Sequence, residues 1–134
     1  MGNDTLTTIR EQFLKDSTLK NFSIYAIRLI EGFVDNKLSM VNYVRSDNTS
    51  QIITLLCIYN FLLNKSITVD NIIKTVPHRI ASRSHAISTL NKLCKKEILI
   101  KQICNKDKRS KIILPSVKLL EEYQAFFIEK IALK

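Results

Sequence analysis

Between residues 82 and 114 the hydrophobic period of the chain switches from helical to extended, and few small folds accommodate that switch. Ala86, Ile87, Leu90, Leu93 and Cys94 recur at i, i+1, i+4, i+7 and i+8, which predicts a buried stripe on a helix running from an N-cap at Ser82 to about Lys96. Directly afterwards, residues 98–104 and 111–114 form short β-branched runs on either side of the polar stretch Asn105-Lys106-Asp107-Lys108-Arg109-Ser110. They predict a two-stranded hairpin with a basic tip. Upstream, Thr68 or Asp70 caps a short helix that turns Val69, Ile72 and Ile73 inward, and Pro77 ends it by removing a donor. A brief strand is expected at 65–67, and residues 51–64 read as the central core helix.

Segments on either side are also helical, with a polar loop expected at 46–50. Within 16–37, one apolar set (Leu19, Phe22, Tyr25, Leu29, Phe33) and a second (Ile24, Ile27, Ile30, Val34) cover different faces; 116–131 carries a third series ending in Phe126, Phe127, Ile128 and Ile131. This is more apolar surface than one chain of 134 residues easily covers, so Phe22, Ile24, Ile27, Phe33, Leu120, Tyr123, Phe126, Phe127 and Ile131 are expected to meet a twofold copy. Burial within one chain is the alternative. The whole length is expected to be one unit, with about 51–114 as its centre and about 5–45 and 116–134 as dimerisation helices.

Several function classes are disfavoured by what the chain lacks. Gly2 and Gly32 are too few for a Walker loop or a dinucleotide-binding turn, both of which need several flexible backbone positions beside phosphates. His78 and His85, with Cys57, Cys94 and Cys104, form no metal-ligand or nucleophile spacing, so neither catalysis, a cofactor nor a metal is expected. The odd, scattered cysteines and a polar start without a leader or acylation pattern indicate a reducing cytoplasm. The cysteines read as small core residues, with an oxidation switch at Cys94 and Cys104 as the alternative. The longest apolar stretch, 52–63, is too short for a bilayer, so no membrane association is expected.

The net charge of +9 is confined to one interval. Residues 1–73 carry seven basic and seven acidic side chains, and residues 112–134 three of each. Residues 74–111 hold Lys74, Arg79, Arg83, Lys92, Lys95, Lys96, Lys101, Lys106, Lys108, Arg109 and Lys111 against only Glu97 and Asp107. A charge run is often no more than a solvated face, but confinement between neutral flanks is what a polyanion-binding surface predicts.

Helix, short strand, helix, turn, helix and hairpin is the order of a winged helix-turn-helix, so the expected fold is mainly α with a small β-hairpin wing. At Leu93-Cys94-Lys95-Lys96-Glu97-Ile98-Leu99-Ile100-Lys101, followed by Asp107-Lys108-Arg109-Ser110-Lys111-Ile112-Ile113-Leu114, the sequence resembles the MarR family of transcriptional regulators. The resemblance covers about 51–114 and reaches the terminal helices only by placement. It implies a homodimer on double-stranded DNA, with Ser84, His85, Ser88, Thr89 and Lys92 on the DNA side of the recognition helix. It further implies Arg109 in the minor groove, oriented by Asp107.

Arg83, Lys95, Lys106, Lys108 and Lys111 complete the expected DNA-binding set. The lysines, Lys92 and Lys96 among them, suit phosphate contacts because an ammonium is a mobile point charge. Three features depart from the family: Glu97 stands where glycine is usual, Pro115-Ser116 replaces a threonine passage, and the turn 77–82 is about three residues longer than in a tight helix-turn-helix. Two other readings stay open: a nonspecific architectural or replication-associated DNA binder, and a winged-helix module that meets an acidic protein. No convergent polar cluster identifies a small-molecule effector.

Overall fold

Asp47, Thr68, Ser82 and Ser116 each sit in extended backbone immediately before a helix, and each accepts hydrogen bonds from that helix's first amides. These side-chain caps divide the chain into its elements. The computed structural model describes residues 2–103 and 110–131, the side chains of residues 2, 3, 17–20 and 131 excepted. It is mainly helical with one small sheet. The order is α1 (Gly2–Lys15), α2 (Ser17–Val34), a 3-10 turn (Asn36–Leu38), α3 (Ser39–Arg45), α4 (Asn48–Leu62), α5 (Val69–Thr75), α6 (Arg83–Lys95), β1 (Leu99–Ile103), β2 (Lys111–Pro115), α7 (Val117–Phe126) and a π-helical turn (Phe127–Ile131).

The main core gathers the inward faces of α4, α5 and α6 over the sheet. Ile53 and Cys57, Ile72 and Ile73, and Ala86, Leu90 and Leu93 meet Leu99, Ile113 and Leu119. β1 and β2 pair antiparallel, with Leu99 opposite Pro115 and Ile103 opposite Lys111. The strand expected at 65–67 is reduced to one bridge, Thr68 with Ile112, and one bond from the Ile113 amide to the Ile67 carbonyl at 3.0 Å. Thr68 is the cap of α5, and the turn into that helix leaves the edge of β2 after a single contact.

Two helices end in left-handed caps without glycine. At the end of α6 the Ile98 amide donates to the Leu93 carbonyl and the Glu97 amide to the Cys94 carbonyl, each at 3.0 Å, with Glu97 at φ 62°. Asn64, at φ 57°, plays the same part after α4, where the Lys65 amide reaches the Asn60 carbonyl. The glutamate therefore does not redirect the end of α6; it adopts the conformation glycine usually supplies, under strain. Glu97→Gly is expected to raise stability by about 1 kcal/mol. An unfolding midpoint at or below that of the parent protein would contradict this account of the cap.

The cap of α4 carries a pH dependence. Burial alone would raise the Asp47 carboxyl, but the Ser50 hydroxyl at 2.9 Å, the Ser50 and Thr49 amides at 3.2 and 3.3 Å, and the nearby His85 outweigh it and hold the group below its ordinary value. A carboxyl depressed in the folded state contributes stability that is present above its unfolded pKa and lost as pH falls through its folded value. Asp47→Ala should cost about 1 kcal/mol at neutral pH. The gap from the parent protein should close below about pH 4; a gap independent of pH would rule out the carboxylate as its source.

The terminal helices depart most from expectation. Leu38, Val41 and Val44, in the 3-10 turn and α3, are core residues, so part of the segment assigned to dimerisation belongs to the interior of the chain. Phe126 is also buried, packed with Leu38 and Val41 and edge-on to Tyr123 at 6.2 Å. Leu120 and Tyr123 are half-buried, and burial pushes the Tyr123 phenol up to about 12 against the pull of Arg45. Gly32 lets α2 pass close over the buried Phe126 ring: a Cβ there would stand 3.1 Å from it, so any side chain would oblige the ring to shift by a few tenths of an ångström. Phe22, Ile24, Ile27, Phe33 and Phe127 are exposed, and the Ile131 side chain lies outside the described residues.

Candidate nucleic-acid interface

Helix α6 starts where Ser82 caps it: the Ser82 hydroxyl accepts from the His85 amide at 3.1 Å and lies 3.2 Å from the Ser84 hydroxyl. At 100° per residue, burying Ala86, Leu90 and Leu93 turns Ser84, Ser88, Asn91 and Lys95 directly outward, with Arg83, His85 and Lys92 beside them. All of these are exposed. Among the described residues no carboxylate lies within ion-pair distance of Arg83, Lys92 or Lys95. The structure thus brings together most of the α6 side chains singled out from the sequence.

Three assignments on α6 are corrected. Thr89 is buried, at 6% exposure, because it lies three residues after Ala86 and four before Leu93 and shares their inward face. Ile87, expected in the buried stripe, is exposed because the helix turns it toward Asn91 and away from the core. Lys96 leaves the outward face: past the last turn, its ammonium stands 4.6 Å above the Tyr43 ring of α3. Asn91 escaped the sequence reading. Its signal was available, since it falls three residues after Ser88 and four before Lys95.

The sheet adds a second basic surface beside α6. Lys101, on β1, reaches across to donate to Asn91 Oδ1 at 3.4 Å. Together with Lys111, Ser110, Thr68, Val69 and Asp70 it lines an open recess of about 230 Å³ between the start of β2 and the start of α5. Lys111 is exposed, whereas Lys106, Asp107, Lys108 and Arg109 lie outside the described residues. Arg79 and Lys74 are exposed nearby in sequence, ahead of α6. His85 lies near enough to Asp47 to add to the lowering of its carboxyl.

Burial raises both described thiols, Cys57 to about 12 and Cys94 less far with the Lys101 ammonium opposing the shift. A raised thiol pKa depletes the thiolate, the species that oxidants attack. No group of three or more metal-ligating side chains is gathered among the described residues, and no helix among them is long and apolar enough to cross a membrane. No protein-family model, no curated protein and no solved structure matches this chain.

Proposed function

We propose that this protein is a winged helix-turn-helix regulator of the MarR type, binding double-stranded DNA as a homodimer and acting by occupying promoter sequence without catalysis. In this reading α6 enters the major groove, the β1–β2 hairpin is the wing that reaches the adjacent minor groove, and the lysines contact phosphates. The observation that carries it is the outward face of α6. Cations without carboxylate partners among the described residues flank uncharged hydrogen-bonding side chains there, within the one interval that holds the net charge of the chain. Self-pairing of that basic face would be repulsive, and a polyanion is its natural complement.

The homodimer draws support from the exposed aromatic and β-branched residues Phe22, Ile24, Ile27, Phe33 and Phe127. They stand 42–60% exposed, and monomers seldom leave contiguous apolar patches beyond a few hundred Å². A twofold copy would set two α6 helices about one helical turn of DNA apart. Affinity selection of fragmented genomic DNA at ~150 mM salt, where nonspecific attraction is already weakened, tests the function. A shared inverted repeat is expected. Bound DNA without a motif would replace regulation by an architectural role, and no bound DNA would redirect the basic face toward an acidic protein. Light scattering at micromolar concentration should give a dimer; a monomer would remove that part of the proposal.

A further inference from the structure

The outward face of α6 has a charged border and an uncharged centre. Ser84, Ile87, Ser88 and Asn91 fall at i, i+3, i+4 and i+7 and so form one continuous exposed patch. Arg83 lies on one side of it and Lys92 on the other, and Lys95, four residues past Asn91, closes it at its C-terminal end. Border cations suit the two phosphate strands that flank a groove, whereas the centre meets base edges, where direction and shape matter more than charge.

Two members of that patch have chemistry that phosphate binding does not use. Ile87 is 37% exposed although its apolar stem gains nothing from water, and thymine C5-methyl is the one apolar group on the major-groove edge of base pairs. Asn91 is held from behind by the Lys101 ammonium on its Oδ1, which orients the amide and leaves Nδ2 free to donate. An asparagine amide matches adenine in the major groove, donating to N7 and accepting from N6 through the second lone pair of Oδ1.

We propose that Ile87 and Asn91 are the specificity determinants of α6 and together read an A·T step, Ile87 seating a thymine C5-methyl and Asn91 pairing with adenine. This rests on the DNA-binding reading above and adds which bases the helix prefers and through which atoms.

The probe is the best-bound member of a random duplex pool selected at ~150 mM salt. Each thymine in turn is replaced by deoxyuridine, which lacks only the methyl, and each adenine by 7-deazaadenine, which lacks the N7 acceptor. At one thymine per half-site, deoxyuridine should weaken binding about fourfold, the worth of one buried methyl group. That loss should shrink for Ile87→Val and vanish for Ile87→Ala. A neighbouring 7-deazaadenine should weaken the parent protein but not Asn91→Ala. Lys92→Ala should lower affinity for thymine and uracil duplexes alike and so preserve their ratio. Both determinants are exposed, so unchanged thermal midpoints will show that the variants remain folded.

A selected site indifferent to every deoxyuridine, or a methyl effect that persists in Ile87→Ala, overturns this inference and leaves DNA binding standing. Failure to retain any duplex overturns both.

Discussion

Alanine at Leu93 is expected to destabilise the protein by about 2–5 kcal/mol, read as a lower unfolding midpoint in urea. Leu93 is completely buried, between Leu90 and the end of α6, among side chains contributed by α4, α5 and the sheet. Its backbone is pinned as well, because its carbonyl receives the Ile98 amide in the left-handed cap. A site held from several directions collapses poorly around a deletion, so the cavity remains and its cost adds to the lost transfer energy. The same truncation at Ile87, outside the buried stripe of the same helix, should stay within about 0.5 kcal/mol. Equal effects at the two positions would mean that α6 is rotated from the orientation described here, and the interface would have to be redrawn.

The second large effect concerns binding. Removing both border lysines in Lys92→Ala/Lys95→Ala should lower affinity for the selected duplex at least about tenfold at ~150 mM salt. The slope of log affinity against log salt should flatten by about 0.9 for each phosphate no longer neutralised, close to two units per protomer. Neither lysine has a carboxylate partner among the described residues, so the substitution leaves no stranded acid behind. Both are exposed, so the fold should survive. An unchanged slope would place the phosphate-binding surface elsewhere, and the hairpin with Lys101 and Lys111 would be the next to test. Arg109→Ala should also weaken binding, and its retention of full affinity would remove the wing from the proposed interface.

Legibility in the sequence followed how local each determinant is. Ser82 and Thr68 as helix caps, the switch of period after Lys96 and the basic turn between two β-branched runs are decided within a few residues. The caps and the two strands were readable for that reason, while the turn itself lies outside the described residues. Thr89 and Ile87 were misplaced because two apolar neighbours, Ala86 and Ile87, are compatible with either of two stripes about 100° apart. Only the packing of α6 against α4 and α5 selects the stripe that buries Thr89. Phe126 was misread for a related reason: its ring packs on Leu38 and Val41 and close against Gly32, 94 positions earlier, contacts that no local pattern announces.

From its order of residues alone, the chain determines where its helices begin, where its strands fall and where its excess charge accumulates. Caps, periods and charge counts each act over one or two turns of backbone. Which face of α6 meets water, which aromatics remain outside, and that Lys101 steadies Asn91 were decided only in the tertiary structure. Close packing permits one rotation of each helix, and contacts between residues far apart in the chain select it.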